Sequence, residues 1–184
     1  NIMPRTVLSL LDRLTSQHGL YLQHRTFLSE VPDYDMEAAG TSAWASVNAT
    51  LAKVANAVGK EGVNGKQGME VTTTSADGYA TSQRGYGVKR GMSYWLSAQF
   101  TPSDLSVTTT GFLQIVDVAT GAVLSEMTTT SKNTTRIWQS ASTGIESDFV
   151  NIRFGQRENG VTAVWDEVVF VDSNGQDLPL PSWV

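Results

Sequence analysis

From Trp44 onward the chain alternates apolar and polar residues in short runs, each closed by Gly, Asn, Asp or Ser. A period of two sends successive side chains to opposite faces of a strand. A chain written this way buries its apolar half by stacking two sheets on a shared core. Nine runs qualify: 46–57, 68–74, 78–84, 93–101, 110–118, 122–128, 135–140, 148–154 and 161–171. No helix-length period separates them, so the pattern predicts a mainly β, antiparallel sandwich rather than a parallel sheet with helical crossovers. The strings at 119–122 (ATGA) and 157–160 (RENG) are hairpin turns.

The alternation assigns faces. In 94–100, Tyr94, Leu96, Ala98 and Phe100 share one side, and Trp95, Ser97 and Gln99 share the other. In 148–154, Val150, Ile152 and Phe154 oppose Phe149, Asn151 and Arg153. Ile137 takes the core position in its run, which turns Trp138 outward. The last run is apolar on both sides, as expected of a central strand or one bulged near Asp166.

Residues before Trp44 follow another rule. Val7, Leu10, Leu11 and Leu14 recur at helical spacing behind Pro4, so 4–18 reads as an amphipathic helix. It is too short to stand alone and needs its own domain or a neighbouring subunit to lie on. Residues 31–42 carry Pro32, Asp33, Asp35, Glu37 and Gly40, and read as a solvated acidic linker. At the other end Pro179 and Pro181 impose an extended tail, and Trp183 predicts that the tail packs on this domain or on a partner. The expected organisation is a helical arm and linker (1–40), a sandwich (41–175) and an extended tail (176–184).

Several function classes are disfavoured. The net charge is −5, against the basic surface of a phosphate-tracking nucleic-acid binder. No run approaches the roughly 20 apolar residues of a membrane helix. Cysteine is absent, which removes thiolate chemistry, and the two histidines both fall in the arm. Asp166 and Glu167, as strand neighbours, are expected on opposite faces and so form no acid–base pair. The glycine-rich 85–91 lacks the Lys-Ser/Thr ending of a phosphate loop. The expectation is a protein without catalysis. Sugar binding asks for flat aromatic faces beside hydrogen-bonding side chains. Trp95 and Trp138, with Gln99, Asn151 and Arg153, are the candidates. Alternation does not say whether the five share a sheet, nor whether the arm or another subunit covers the tryptophans.

Four strings in order, WASVNATLAKV (44–54), GKQGMEVTTTSADGYATSQ (65–83), VKRGMSYWLSAQF (88–100) and VWDEVVFVD (164–172), resemble a carbohydrate-binding-module-like jelly roll of the galactose-binding-domain-like group. The resemblance covers residues 44–172 and leaves the arm outside. It implies a jelly-roll sandwich that binds glycans or serves as a structural module, beside glycoside hydrolases or in bacteriophage virions. It also implies a structural calcium held by a closing-strand aspartate, here Asp166, although the opening strand offers no matching acid. With the arm in front, the expected function is a non-catalytic virion structural protein of a bacteriophage, a capsid decoration or tail appendage. It would be located in the virion and partnered by other virion proteins or a second copy through 1–30 and the tail. The alternative is a glycan-binding module that attaches to a polysaccharide.

Overall fold

The computed structural model describes residues 31, 33, 36–55, 67–142 and 147–172, and the side chains of 138–142 and 172 lie outside that description. The expected helical arm and extended tail fall outside it too.

Eleven strands follow in chain order among the described residues: β1 (Trp44–Val47), β2 (Ala49–Ala55), β3 (Gln67–Thr73), β4 (Gly78–Ser82), β5 (Tyr86–Gly87), β6 (Ser93–Pro102), β7 (Gly111–Asp117), β8 (Val123–Thr129), β9 (Thr135–Ser142), β10 (Phe149–Gln156) and β11 (Thr162–Asp172). They form two antiparallel sheets. Sheet A runs β1-β4-β10-β7-β8, with β5 also paired to β10, and sheet B runs β2-β3-β11-β6-β9. All nine expected runs are strands. The first is cut in two at Asn48, which sits at φ +52°. Asparagine tolerates this left-handed conformation better than most residues. The kink passes the chain from sheet A to sheet B, and Thr74 N–H donates to the Asn48 carbonyl at 2.8 Å.

The core lies where the alternation puts it. Tyr94, Leu96, Ala98 and Phe100 of β6 meet Val150, Ile152 and Phe154 of β10 between the sheets, with Ile137 beside them. Trp165 is fully buried, 4.9 Å from the Phe100 ring and 5.3 Å from that of Phe154. Gly111 is needed here, because a Cβ on it would stand 2.6 Å from the Phe100 ring. Truncating a ring so enclosed costs about 3–5 kcal/mol.

One expectation is overturned. Asp33, in the acidic segment before β1, is not solvated. Lys53, at an inward position of edge strand β2, pairs with Asp33 at 2.5 Å, their side chains 9% and 2% exposed. The same ammonium donates to the Met36 carbonyl at 2.6 Å, and Met36 is fully buried. Glu37 accepts the Gln67 N–H at 2.9 Å. A lysine turned inward at a sheet edge needs a counter-charge, and the segment supplies it. By register this end of sheet B also holds Ala55, Gln67, Ser93 and Asp172.

Candidate functional site

The outer face of sheet B is read from its register. Across β11, β6 and β9, Asp166 opposes Gln99, which opposes Arg136. One step along, Val169 opposes Ser97, which opposes Trp138, and at the next Val171 opposes Trp95, which opposes Ser140. β11 and β6 are central in the sheet. Ser97, Gln99, Asp166, Val164, Val169 and Val171 are all buried, and Trp95 is half-buried.

Polar groups on this face are tied together by Arg136. Its Nη1 donates to Ser97 Oγ at 3.0 Å, and its Nη2 pairs with the Glu167 carboxylate. Burial lowers the pKa of Arg136, and the nearby Asp166 carboxylate opposes that shift. Both acids reach one guanidinium because β11 is bulged. Asp166 opposes Gln99 but Val169 opposes Ser97, so Glu167 and Val168 together face Ala98. Glu167 takes φ +47°, and its N–H donates to Asp166 Oδ1 at 2.7 Å. The extra residue turns Val168 into the core and leaves both carboxylates near Arg136. The expectation that Asp166 and Glu167 take opposite faces therefore does not hold. The apolar run on both sides of Asp166 was the signal for the bulge. Arg136 was overlooked, although it stands two residues before Trp138 and so shares its face of β9.

Asp166 is the residue that the resemblance would give to calcium. Calcium wants six to eight oxygen ligands, whereas this carboxylate lies beside a guanidinium. No group of three or more His, Cys, Asp or Glu able to hold a metal is found among the described residues.

The five sugar-binding candidates divide between the sheets. Trp95, Gln99 and Trp138 lie on β6 and β9 of sheet B, while Asn151 and Arg153 lie on β10 of sheet A. On that second outer face the Arg153 guanidinium lies 4.9 Å over the Tyr79 ring and the Arg157 guanidinium 4.4 Å over that of Phe112. Arg157 is also paired with Asp77 at 2.7 Å and Glu126 at 2.6 Å. The hydrogen bond that Arg157 donates to Asp77 leads in raising its pKa.

No protein-family model matches the sequence, and no curated protein matches it. Solved structures do. The chain is similar to the CBM22-1–GH10 modules of Clostridium thermocellum endo-1,4-β-D-xylanase 10B, solved with xylohexaose, at TM-score 0.56 and 20% identity, over 75% of this chain and 27% of that one. It is similar to the CBM22-1 xylan-binding domain of Paenibacillus barcinonensis Xyn10C at TM-score 0.57 and 12% identity, over 75% of this chain and 90% of that one. The third is the enzymatically active domain of bacteriophage CBA120 tailspike protein 4, at TM-score 0.57 and 11% identity, over 78% of this chain and 21% of that one. The chain thus spans about a quarter of the xylanase chain and a fifth of the tailspike chain. Other neighbours are CBM22 and CBM4 modules. The fold is the β-sandwich of carbohydrate-binding modules.

Proposed function

We propose that this protein is a glycan-binding module whose binding surface is the outer face of sheet B, and that it acts without catalysis. The observation that carries this reading is the row of Trp95, Ser97, Gln99 and Arg136 on one sheet face, with Trp138 in register beside them. An indole offers the flat apolar surface that a sugar's C–H face stacks on, and the partly exposed Arg136 stands beside it to meet the sugar's hydroxyls. The neighbours' fold supports it, since several are carbohydrate-binding modules and three are described as xylan-binding domains. Isothermal titration of the full chain against a panel of neutral oligosaccharides tests it. Trp95→Ala should weaken the best ligand by about tenfold or more. Unchanged affinity in that variant, or no binding across the panel, would remove the reading.

A bacteriophage appendage is the setting we infer for the module. The support is the tailspike chain that carries the same sandwich. In that setting residues 1–30 and the tail would contact other virion proteins or a second copy, and the sandwich would face outward. A purified chain that is monomeric, and from which deletion of 1–30 changes neither solubility nor assembly, would argue against it.

A further inference from the structure

We propose that Lys53 and Asp33 condense into an isopeptide bond, a covalent cross-link that ties the segment before β1 to edge strand β2. The two side chains meet away from water. Lys53 Nζ stands 2.5 Å from Asp33 Oδ2, with the side chains 9% and 2% exposed. A nitrogen at that distance from a carboxylate oxygen is roughly 3–3.7 Å from the carboxyl carbon, close to the spacing of atoms about to react. Each partner is also fixed in place. Asp33 Oδ1 accepts the Ala38 N–H at 2.8 Å, which leaves Oδ2 toward the amine. The ammonium donates to the Met36 carbonyl at 2.6 Å. The backbone is left-handed at both supporting residues, with φ +58° at Asp33 and +55° at Met36. Aspartate tolerates this conformation, but methionine rarely adopts it, and such strain gathers where the surrounding fold holds a functional group in position. Met36 is fully buried, so the turn does not relax without withdrawing that side chain from the core.

The reaction balances within the pair. Passing one ammonium proton to the carboxylate across so short a contact leaves a neutral amine beside a neutral acid, a pair that carries no desolvation penalty for charge. The nitrogen lone pair then attacks the carboxyl carbon. As the new C–N bond forms, the C–Oδ2 bond breaks, a second nitrogen proton goes to the departing hydroxyl, and one water leaves. The third proton stays on the amide nitrogen. No oxidant, reductant or cofactor enters. The product keeps the hydrogen bonds that position the reactants. Its carbonyl oxygen, the former Oδ1, still accepts the Ala38 N–H, and its own N–H has the Met36 carbonyl. Burial also keeps out the water that would reverse the step. The ion pairs Arg90–Asp148, Arg136–Glu167 and Arg157–Asp77 use arginine instead, whose guanidinium stays charged and so offers no amine nucleophile. The bond closes a loop from 33 to 53 that contains β1. Tension on the chain before Asp33 then reaches β2 directly instead of unzipping the segment and β1.

The cross-link does not depend on the glycan reading above, since neither residue belongs to the row around Trp95. Intact-mass spectrometry of the full chain, folded and then denatured, tests it. The wild type should weigh one water less than its sequence. Trypsin should then fail to cut after Lys53, because an acylated lysine is not a cleavage site, and should release residues 26–60 as one loop-linked peptide. Lys53→Arg keeps the charge pair but removes the nucleophile. It should have its full sequence mass, be cut after the substituted residue, and unfold at a lower temperature than the wild type. Should Lys53→Arg fail to fold, the wild-type peptide decides alone, since its fragmentation places the link between Asp33 and Lys53 or elsewhere. The proposal is overturned by wild-type protein of full mass that trypsin cuts after Lys53, even after days folded at neutral pH. A missing water in Lys53→Arg as well, or one that maps outside 26–60, overturns it too.

Discussion

The two outer faces of the sandwich are made from the same kind of strand, yet they handle charge differently. On sheet B the guanidinium of Arg136 is paired by its own protein, bonded to Ser97 and Glu167 with Asp166 nearby, although its side chain is partly exposed. On sheet A the guanidinium groups lie on aromatic rings, and among the described residues Arg157 is paired with carboxylates while Arg153 lies on Tyr79. Sheet B owes its arrangement to a bulge that places two acids on one side of a strand. Sheet A has a small residue in the corresponding role. Gly155 lies against Tyr79, and a Cβ there would come 2.1 Å from the Gly78 carbonyl oxygen and 2.6 Å from Tyr79 Cα. A face with an internal counter-charge is fixed whether or not a ligand is present.

The largest test of this contrast is Gly155→Ala. The added methyl collides with backbone rather than with a movable side-chain end, so β4 and β10 must separate. The expected loss is about 3 kcal/mol or more in urea denaturation. A loss under 1 kcal/mol would mean that the seat of the Tyr79 ring is adaptable. Next in size is Trp95→Ala, which should remove about tenfold affinity for the glycan in isothermal titration. Smaller again is Arg136→Met, which leaves Asp166 and Glu167 together without their cation. About 1 kcal/mol is expected, kept low because the guanidinium is 37% exposed. Measuring the same value in a Glu167→Gln background would show that the Glu167 pairing contributes nothing to that loss.

The smallest effect concerns acid. Burial alone would raise the pKa of Glu126, but bonds from Gln114 and Arg157 outweigh it and the net shift is downward. Glu158 follows the same course, with the Thr110 hydroxyl and N–H opposing its burial. For Asp117 the Ser147 hydroxyl leads the lowering, followed by Thr120. A group whose pKa is depressed on folding takes its proton first in the unfolded chain. These carboxylates therefore contribute stability above their ordinary range and lose it as the pH falls through the folded value. Denaturation midpoints measured from neutral pH downward should decline below about pH 4.5, and Glu126→Gln should flatten part of that decline.

Much of the fold is legible in the sequence because a sandwich depends on period and punctuation, both of which are local. The Ile137 and β6 core positions follow from counting by twos. β5 escaped because Tyr86–Gly87 is too short to alternate. The site was legible only in part. Alternation states which side of its own strand Arg153 occupies, but not that β10 belongs to a different sheet from β6, since that is decided by pairing between distant segments. Asp166 and Glu167 were separated by a rule that one inserted residue suspends. Asp33 looked like a linker acid until Lys53, inward on β2, became its partner twenty residues away.

The seating of Asp33 and Met36 against β2 lies at one end of the sandwich, the end at which β1 begins at Trp44 and β11 finishes at Asp172. The loops around Asp77, Asp104 and Asn133 lie at the other end, so a partner that reaches those loops approaches clear of the buried lysine–aspartate pair.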